Sequence, residues 1–368
     1  MTVRKHSKGN FVRCIMTIAM LLTANLAFSQ DEANGHNGIL SGFTQFITKN
    51  AHKILDKTEG VIEKYLDAKD SIYITPNKYN FTVMPQYSYN FEYYRFSTGN
   101  GSQGFTLMPD ISSKAGLYIG WRWLFIGYSF NLDKGAPQRD FNFSFYTSKI
   151  GIDLFYRKRD KGFRVRSHKG FSGEADKYLN ENKGIGGLTV RQKGVNVYYI
   201  FNNKKFSYPA AYSQTTIQRI SAGSFILGIN YNEQSFSFDH SKLSPVIQKQ
   251  LAPELKFKYI KYKDFGVNFG YSYNWVFAHN CLANISVTPA IGYKNTSLRM
   301  SDSNEILSNI NFDLITRAAI VYNNGKYFAG ASVISHTYSY RKEALSILNG
   351  FGVINIYAGF NFWRKKQR

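Results

Sequence analysis

Ile354-Asn355-Ile356-Tyr357-Ala358-Gly359-Phe360-Asn361-Phe362 alternates at every step. In an extended chain successive side chains point to opposite faces. Ile354, Ile356, Ala358, Phe360 and Phe362 therefore share one face of a strand, and Asn355, Tyr357, Gly359 and Asn361 share the other. The same dyad recurs upstream. Phe81, Val83, Pro85, Tyr87, Tyr89, Phe91 and Tyr93 alternate with Thr82, Gln86, Ser88, Asn90 and Glu92, and Phe265, Val267, Phe269, Tyr271, Tyr273 and Trp275 alternate with Gly266, Asn268, Gly270, Ser272 and Asn274. A soluble two-sheet sandwich would also alternate, but it would not set aromatic-rich faces against faces of Gly, Asn and Ser.

The N-terminus supplies the compartment. Arg4, Lys5, Lys8 and Arg13 precede the apolar run Ile15 to Phe28, and Ala27-Phe28-Ser29 carries small residues where a signal peptidase reads. The run is shorter than the roughly 20 residues a helical span needs. A cleavable signal at 1–29 is expected. With export, long alternating strands and an aromatic outer face, the chain reads as all-β, an antiparallel transmembrane β-barrel of about twelve strands in a bacterial outer membrane. The expected division is 30–70 for an amphipathic helical segment, 71–363 for the barrel and 364–368 for a basic periplasmic tail. Within the first of these, Leu40, Phe43, Ile47, Ile54, Val61, Ile62 and Tyr65 recur at helical spacing, and residues 39–66 are expected to pack in the periplasm, lie on the membrane surface or meet a periplasmic partner.

The strand reading runs in order from Tyr79. A second strand spans Leu107 to Ile119, and a fourth opens at Phe141 and changes phase at Ile150, which predicts a bulge near Ser148. Phe206 to Ile217 reads as a weak sixth strand. Asn324-Gly325 predicts a two-residue hairpin turn. Residues 158–185 and 239–261 read as long loops, the second with a short helix around Val246 to Leu251. An even count puts both termini in the periplasm. The loop 158–185 then falls on the periplasmic side, unlike the other long loops, unless a further hairpin is formed by Gly162–Ser167 with Leu188–Arg191.

Three stretches carry a resemblance. Asp70-Ser71-Ile72-Tyr73-Ile74-Thr75-Pro76-Asn77-Lys78-Tyr79-Asn80-Phe81, Phe206-Ser207-Tyr208-Pro209-Ala210-Ala211-Tyr212-Ser213-Gln214 and Ser221-Ala222-Gly223-Ser224-Phe225 resemble a family of exported proteins of unknown function from Gram-negative bacteria. The resemblance implies an outer-membrane barrel and carries no activity. The C-terminal strand, with Gly359, Phe360, Phe362 and Trp363, is also similar to the signal read by the outer-membrane insertion machinery, although the following Arg364 to Arg368 departs from it.

Charge and chemistry bound the function. The net charge is +22, spread over loops and tail. For an exported chain, outer-membrane lipid and the phosphates of lipopolysaccharide are the expected partners, and nucleic acid is not. Cys281 is the single cysteine after the signal, so no internal disulfide is expected. Inside the barrel, Glu92, Asp110, Lys114, Asp153, Asp313 and Arg317 are expected to form a charge lattice that braces the wall or lines a narrow pore. The competing reading is a lipid hydrolase or acyltransferase with Ser and His at the outer rim. Its candidates are His336, flanked by Ser335, and His240 within Asp239-His240-Ser241. Neighbours on one strand face opposite ways, so adjacency gives neither histidine a partner. His279 and Cys281 are too few for zinc, and Gly184-Ile185-Gly186-Gly187 lacks the lysine of a phosphate loop. No cofactor is expected.

Overall fold

The computed structural model describes residues 70–110, 112–121, 124–132, 139–181, 184–299, 304–342 and 345–365; the expected signal at 1–29, the expected helical segment as far as Lys69 and residues 366–368 of the expected tail lie outside them. The described residues form a largely antiparallel all-β domain. Seventeen strand segments are present among them, against an expectation of about twelve.

Fifteen segments make one sheet. Its body is a run of long hairpins: β12 (Ala222–Phe238), β13 (Tyr259–Ala278), β14 (Cys281–Arg299), β15 (Asn304–Asn323), β16 (Tyr327–Lys342) and β17 (Leu345–Arg364). β17 then pairs with β2 (Tyr79–Thr98), so the last strand meets the first long one. In the other direction β12 pairs with β10 (Leu188–Ile200), β10 with β7 (Ile150–Arg159) and β7 with β6 (Arg139–Tyr146). The outer edge of β2 is shared. Its first half pairs with β4 (Ser112–Trp121), which pairs with β5 (Leu124–Asn131). Its second half pairs with β3 (Gly104–Pro109), followed by β8 (Phe163–Lys169) and β9 (Gly184–Ile185). Among the described residues no ladder joins β5 to β6. β1 (Ile74–Pro76) and β11 (Thr216–Gln218) form a separate pair.

Four readings are corrected. The phase change near Ser148 is a hairpin turn between β6 and β7, where Thr147 Oγ1 accepts from the amide of Ile150 at 2.9 Å and donates to its carbonyl at 3.0 Å. Its hydroxyl supplies the turn chemistry that Gly or Asn would otherwise give. Phe206 to Ile217 is no sheet strand: it folds into the short helix α2 (Tyr208–Tyr212), capped by Ser207 with Pro209 in the first turn, and then β11. Pro and an N-cap serine favour that start over a ladder. The second strand is broken into β3 and β4. The pairs Tyr94↔Leu107 and Asn90↔Ser112 set four steps on β2 against five on its neighbours, one extra residue that reverses the phase of Leu107. Finally, the segment 158–185 holds β8, α1 (Gly173–Glu181) and β9, with Phe163 paired to Ile185 rather than to 188–191. The extra hairpin at Thr147 changes the parity, so this segment lies at the end of the sheet opposite the start of β2 and the end of β17. The short helix in the second long loop is present as α3 (Pro245–Gln250), and the β15–β16 turn falls at the expected place but is centred one residue later, on Gly325-Lys326, with Gly325 at φ 95° and Asn324 Oδ1 accepting from the amides of Lys326 and Tyr327.

The two faces differ as the alternation requires. Phe265, Val267, Phe269, Tyr271, Tyr273 and Trp275 are all exposed, while Asp264, Asn268, Ser272 and Asn274 are completely buried. The largest apolar cluster of the buried face is at the loop end, where connections such as β7–β8 and β12–β13 lie. There Tyr94, Phe96, Phe236, Phe257, Tyr262 and Tyr340 pack with Leu243, Ile247, Leu251 and Leu255 from α3 and its flanks. Phe96 meets Phe236 edge-on at 5.6 Å and Phe257 in a tilted contact at 5.4 Å, arrangements that suit aromatic quadrupoles.

Candidate functional site

The interior below that apolar core is polar, and its side chains meet across the sheet. At the terminus end the segment after β10 folds inward. Tyr208 and Ser286 hydroxyls lie 2.6 Å apart, Tyr212 Oη donates to Asn284 at 2.6 Å, Gln214 Nε2 donates to Tyr357 Oη at 2.8 Å, and Asn274 Nδ2 donates to Ser207 O at 2.9 Å. These bonds fasten α2 to β13, β14 and β17. Ala210 and Ala211 pack on Leu282, Ala319 and Val321 of β14 and β15.

Between the inserted segment and the apolar core lie the buried charges. Arg317 on β15 reaches Asp153 on β7 at 2.5 Å, and the carboxylate also accepts from Ser144 Oγ at 2.7 Å and Tyr146 Oη at 3.2 Å. Glu92 on β2 faces two cations of β7, Arg157 at 3.5 Å and Arg159 at 3.3 Å, and accepts from Tyr94 Oη at 2.7 Å. Lys294 lies between two carboxylates, Asp313 at 2.9 Å and Asp264 at 3.7 Å, and also donates to Ser339 O at 2.7 Å. Lys114 pairs with Asp140 of β6. The Arg317–Asp153, Glu92–Arg157/Arg159 and Lys114–Asp140 links join strands that are not sheet neighbours, and Lys294 ties β14 to its neighbours β13 and β15. In low dielectric a charge left alone costs several kcal/mol, so these links hold the inner faces at fixed spacing.

The sequence-predicted residues are therefore not all together. Glu92, Lys114, Asp153, Asp313 and Arg317 are on the inner face. Asp110 is in the break between β3 and β4, half exposed and paired with Arg164. Sequence reasoning missed Arg157, Arg159, Asp140, Asp264 and Lys294. Extending each strand's own phase would have found them: Arg157 and Arg159 follow Asp153 by even steps, and Lys294 follows Ser286 by even steps.

Against the inner faces of β2, β4, β7, β16 and β17 lies a cavity of about 420 Å³, bordered also by β5, β6 and the end of α2. His336 lines it, buried, with its ring 5.0 Å from Phe351 and 5.5 Å from Phe155. Its Nδ1 lies 3.4 Å from Tyr338 Oη. Ser335 is on the opposite face of the strand, so it is no nucleophile for this ring. His240, at the loop end, packs its ring 4.5 Å from Phe238. Asp239 accepts from the amide and hydroxyl of Ser241 at 3.2 and 2.6 Å, a local turn and not a relay through His240. Cys281 begins β14 as a free thiol. Among the described residues no three His, Cys, Asp or Glu side chains are grouped to hold a metal.

Solved structures with a similar course of strands include the outer membrane protease OmpT from Escherichia coli, 9% identical with a TM-score of 0.35, covering 78% of this chain and 98% of that one. The translocator domain of autotransporter NalP from Neisseria meningitidis is 7% identical with a TM-score of 0.29, covering 86% and 97%. The toluene transporter TodX of P. putida is 8% identical with a TM-score of 0.20, covering 78% and 91%. No curated protein matches the chain. A family profile matches residues 68–362, nearly the whole described domain. The chain belongs to the family described as a domain of unknown function, DUF4421.

Proposed function

We propose that the protein is an integral outer-membrane β-barrel without enzymatic activity, exported through its N-terminal signal, whose interior is filled rather than open as a pore. The observation that carries this reading is the outward face. Following the ladder across neighbouring strands, Leu154, Val195, Tyr231, Phe265, Tyr293 and Ile310 form one outward row. Two steps toward the loops the row reads Tyr156, Lys193, Glu233, Lys263 and Asn295, and two further it reads Lys158, Arg191, Ser235, Lys261 and Ser297. Apolar and tyrosine side chains give way, within two residues, to charged and polar ones at one height on adjacent strands. That is the order of hydrocarbon, interface and headgroup. Exposed Phe and Ile at the centre of the belt would lose about 25 cal/mol per Å² in water relative to lipid.

The cationic rows suit the phosphates of lipopolysaccharide in the outer leaflet, and the terminus end then lies in the periplasm. There β17, ending in Phe360, Phe362 and Trp363, would be presented to the insertion machinery, and residues 39–66 would be free to meet a periplasmic partner. The pore version loses support to the aromatic core between β2, β12, β13 and β16, and the enzyme version to the histidine geometry. The test is membrane fractionation followed by planar-bilayer recording of the purified protein. The reading expects outer-membrane recovery and no single-channel steps. Recovery in the soluble periplasm would end the barrel reading, and stepwise currents would end the filled interior.

A further inference from the structure

We propose that the interior cavity is a binding site for an anionic sugar, of the uronate or sugar-phosphate class, with Arg157 as its anchor. The inference rests on the barrel reading above. Charge is the first argument. Arg157 and Arg159 share the single carboxylate of Glu92, and of these three Arg157 lines the cavity. Its side chain is 4% exposed, Nε and Nη1 have no hydrogen-bond partner, and Nη2 reaches Asn142 Oδ1 only at 3.4 Å. A guanidinium offers five N–H donors in a planar fork that matches a carboxylate or phosphate. Buried donors without partners are costly, and an anion seated on the fork removes that cost. The other ion pairs beside the cavity are balanced, Lys114 with Asp140 and Asp153 with Arg317.

The walls give the second argument. Gln86 Nε2 donates to Asn355 Oδ1 at 3.0 Å and to Ser88 Oγ at 2.8 Å, which leaves Gln86 Oε1 and Asn355 Nδ2 for a ligand's hydroxyls. Phe155 and Phe351 also line the cavity, both buried with ring centroids 4.9 Å apart, and the Arg157 guanidinium lies 4.2 Å over the Phe351 ring. A lining of amides and hydroxyls around one guanidinium suits a hydroxylated anion such as an anionic sugar better than an acyl chain, which needs apolar walls throughout. The volume of about 420 Å³ falls in the range of small-molecule sites. Ser129 of β5 and Asp140, Asn142 and Ser144 of β6 complete the polar lining.

The test is saturation-transfer NMR on the full-length protein in detergent, with glucuronate, glucose 1-phosphate, glucose and inorganic phosphate as probes. Both anionic sugars should bind, with glucose and inorganic phosphate at least tenfold weaker. Arg157→Gln should weaken the anionic sugars at least tenfold, and Arg157→Lys should recover part of the loss. Ser332→Trp, which fills the cavity from β16, should abolish binding and serves where Arg157→Gln fails to fold. The proposal is overturned if the folded, membrane-inserted protein ignores both anionic sugars, if glucose or inorganic phosphate binds as well as they do, or if Ser332→Trp binds like the parent. A protein that leaves detergent and stays in aqueous solution overturns the barrel reading instead.

Discussion

The interior of this sheet has two levels built on the same strands. At the loop end, inward Tyr94, Phe96, Phe236, Tyr262 and Tyr340 form an apolar core; a few residues nearer the termini, inward Glu92, Asn232, Asp264 and His336 are polar. Strand alternation decides only which side chains face in. What covers them decides their chemistry. At the loop end α3 and its flanks bring Leu243, Ile247, Leu251 and Leu255 over the opening, so apolar residues find apolar partners. In the middle the inward residues meet only one another across the sheet, and there polar groups can satisfy each other in fixed pairs.

The two levels should respond differently to substitution. The largest effect is expected from Arg317→Ala, which strands the Asp153 carboxylate and should cost about 3–5 kcal/mol in urea unfolding from lipid, whereas the double change Arg317→Met with Asp153→Leu should be near neutral. A single variant as stable as the parent would show that the pair braces nothing. In the apolar level, Leu255→Ala should cost about 2–5 kcal/mol through the cavity it leaves, with no rescue by any second polar change. Ser207→Ala removes the cap of α2 and its contact with Thr216 Oγ1; a loss of about 1 kcal/mol is expected, read as faster hydrogen exchange confined to residues 206–218.

The smallest effect concerns pH. Burial of His240 against Phe238 pushes its imidazole below the ordinary value of 6.5. The unfolded chain takes up this proton as pH falls through about 6.5 and the folded loop resists it, so the loop's stability is unaffected above that pH and declines below it. Proteolytic nicking within 239–258 should rise between pH 7 and pH 5.5, and His240→Phe should flatten that response. An unchanged slope in the variant would assign it to other groups.

Much of this was legible in the residues. The outward phase of β13, β15 and β17 follows from alternation alone, because a one-residue slip would turn every ring inward. The Thr147 hairpin was not legible, since its turn is closed by a threonine hydroxyl and not by Gly or Asn. The inward fold of Phe206 to Ile217 was hidden because a helix of five residues is too short to show a helical period. For the cavity, Glu92 and Asp153 were visible by phase, but Arg157 stands at the last position before the charged run assigned to the loop from 158 and reads as part of it, and pairings such as Arg317 with Asp153 join positions 164 residues apart in sequence. No local pattern records such a distance.

The claim on which the rest depends is that the exposed rings touch lipid. A nitroxide scan of positions 265–272, in a Cys281→Ser background and a reconstituted bilayer, measures it directly through collision with oxygen and with a water-soluble nickel complex. Odd positions should be open to oxygen and closed to nickel, and even positions should be poorly open to both. Odd positions that collide freely with nickel would mean that this face meets water, and the account would be wrong.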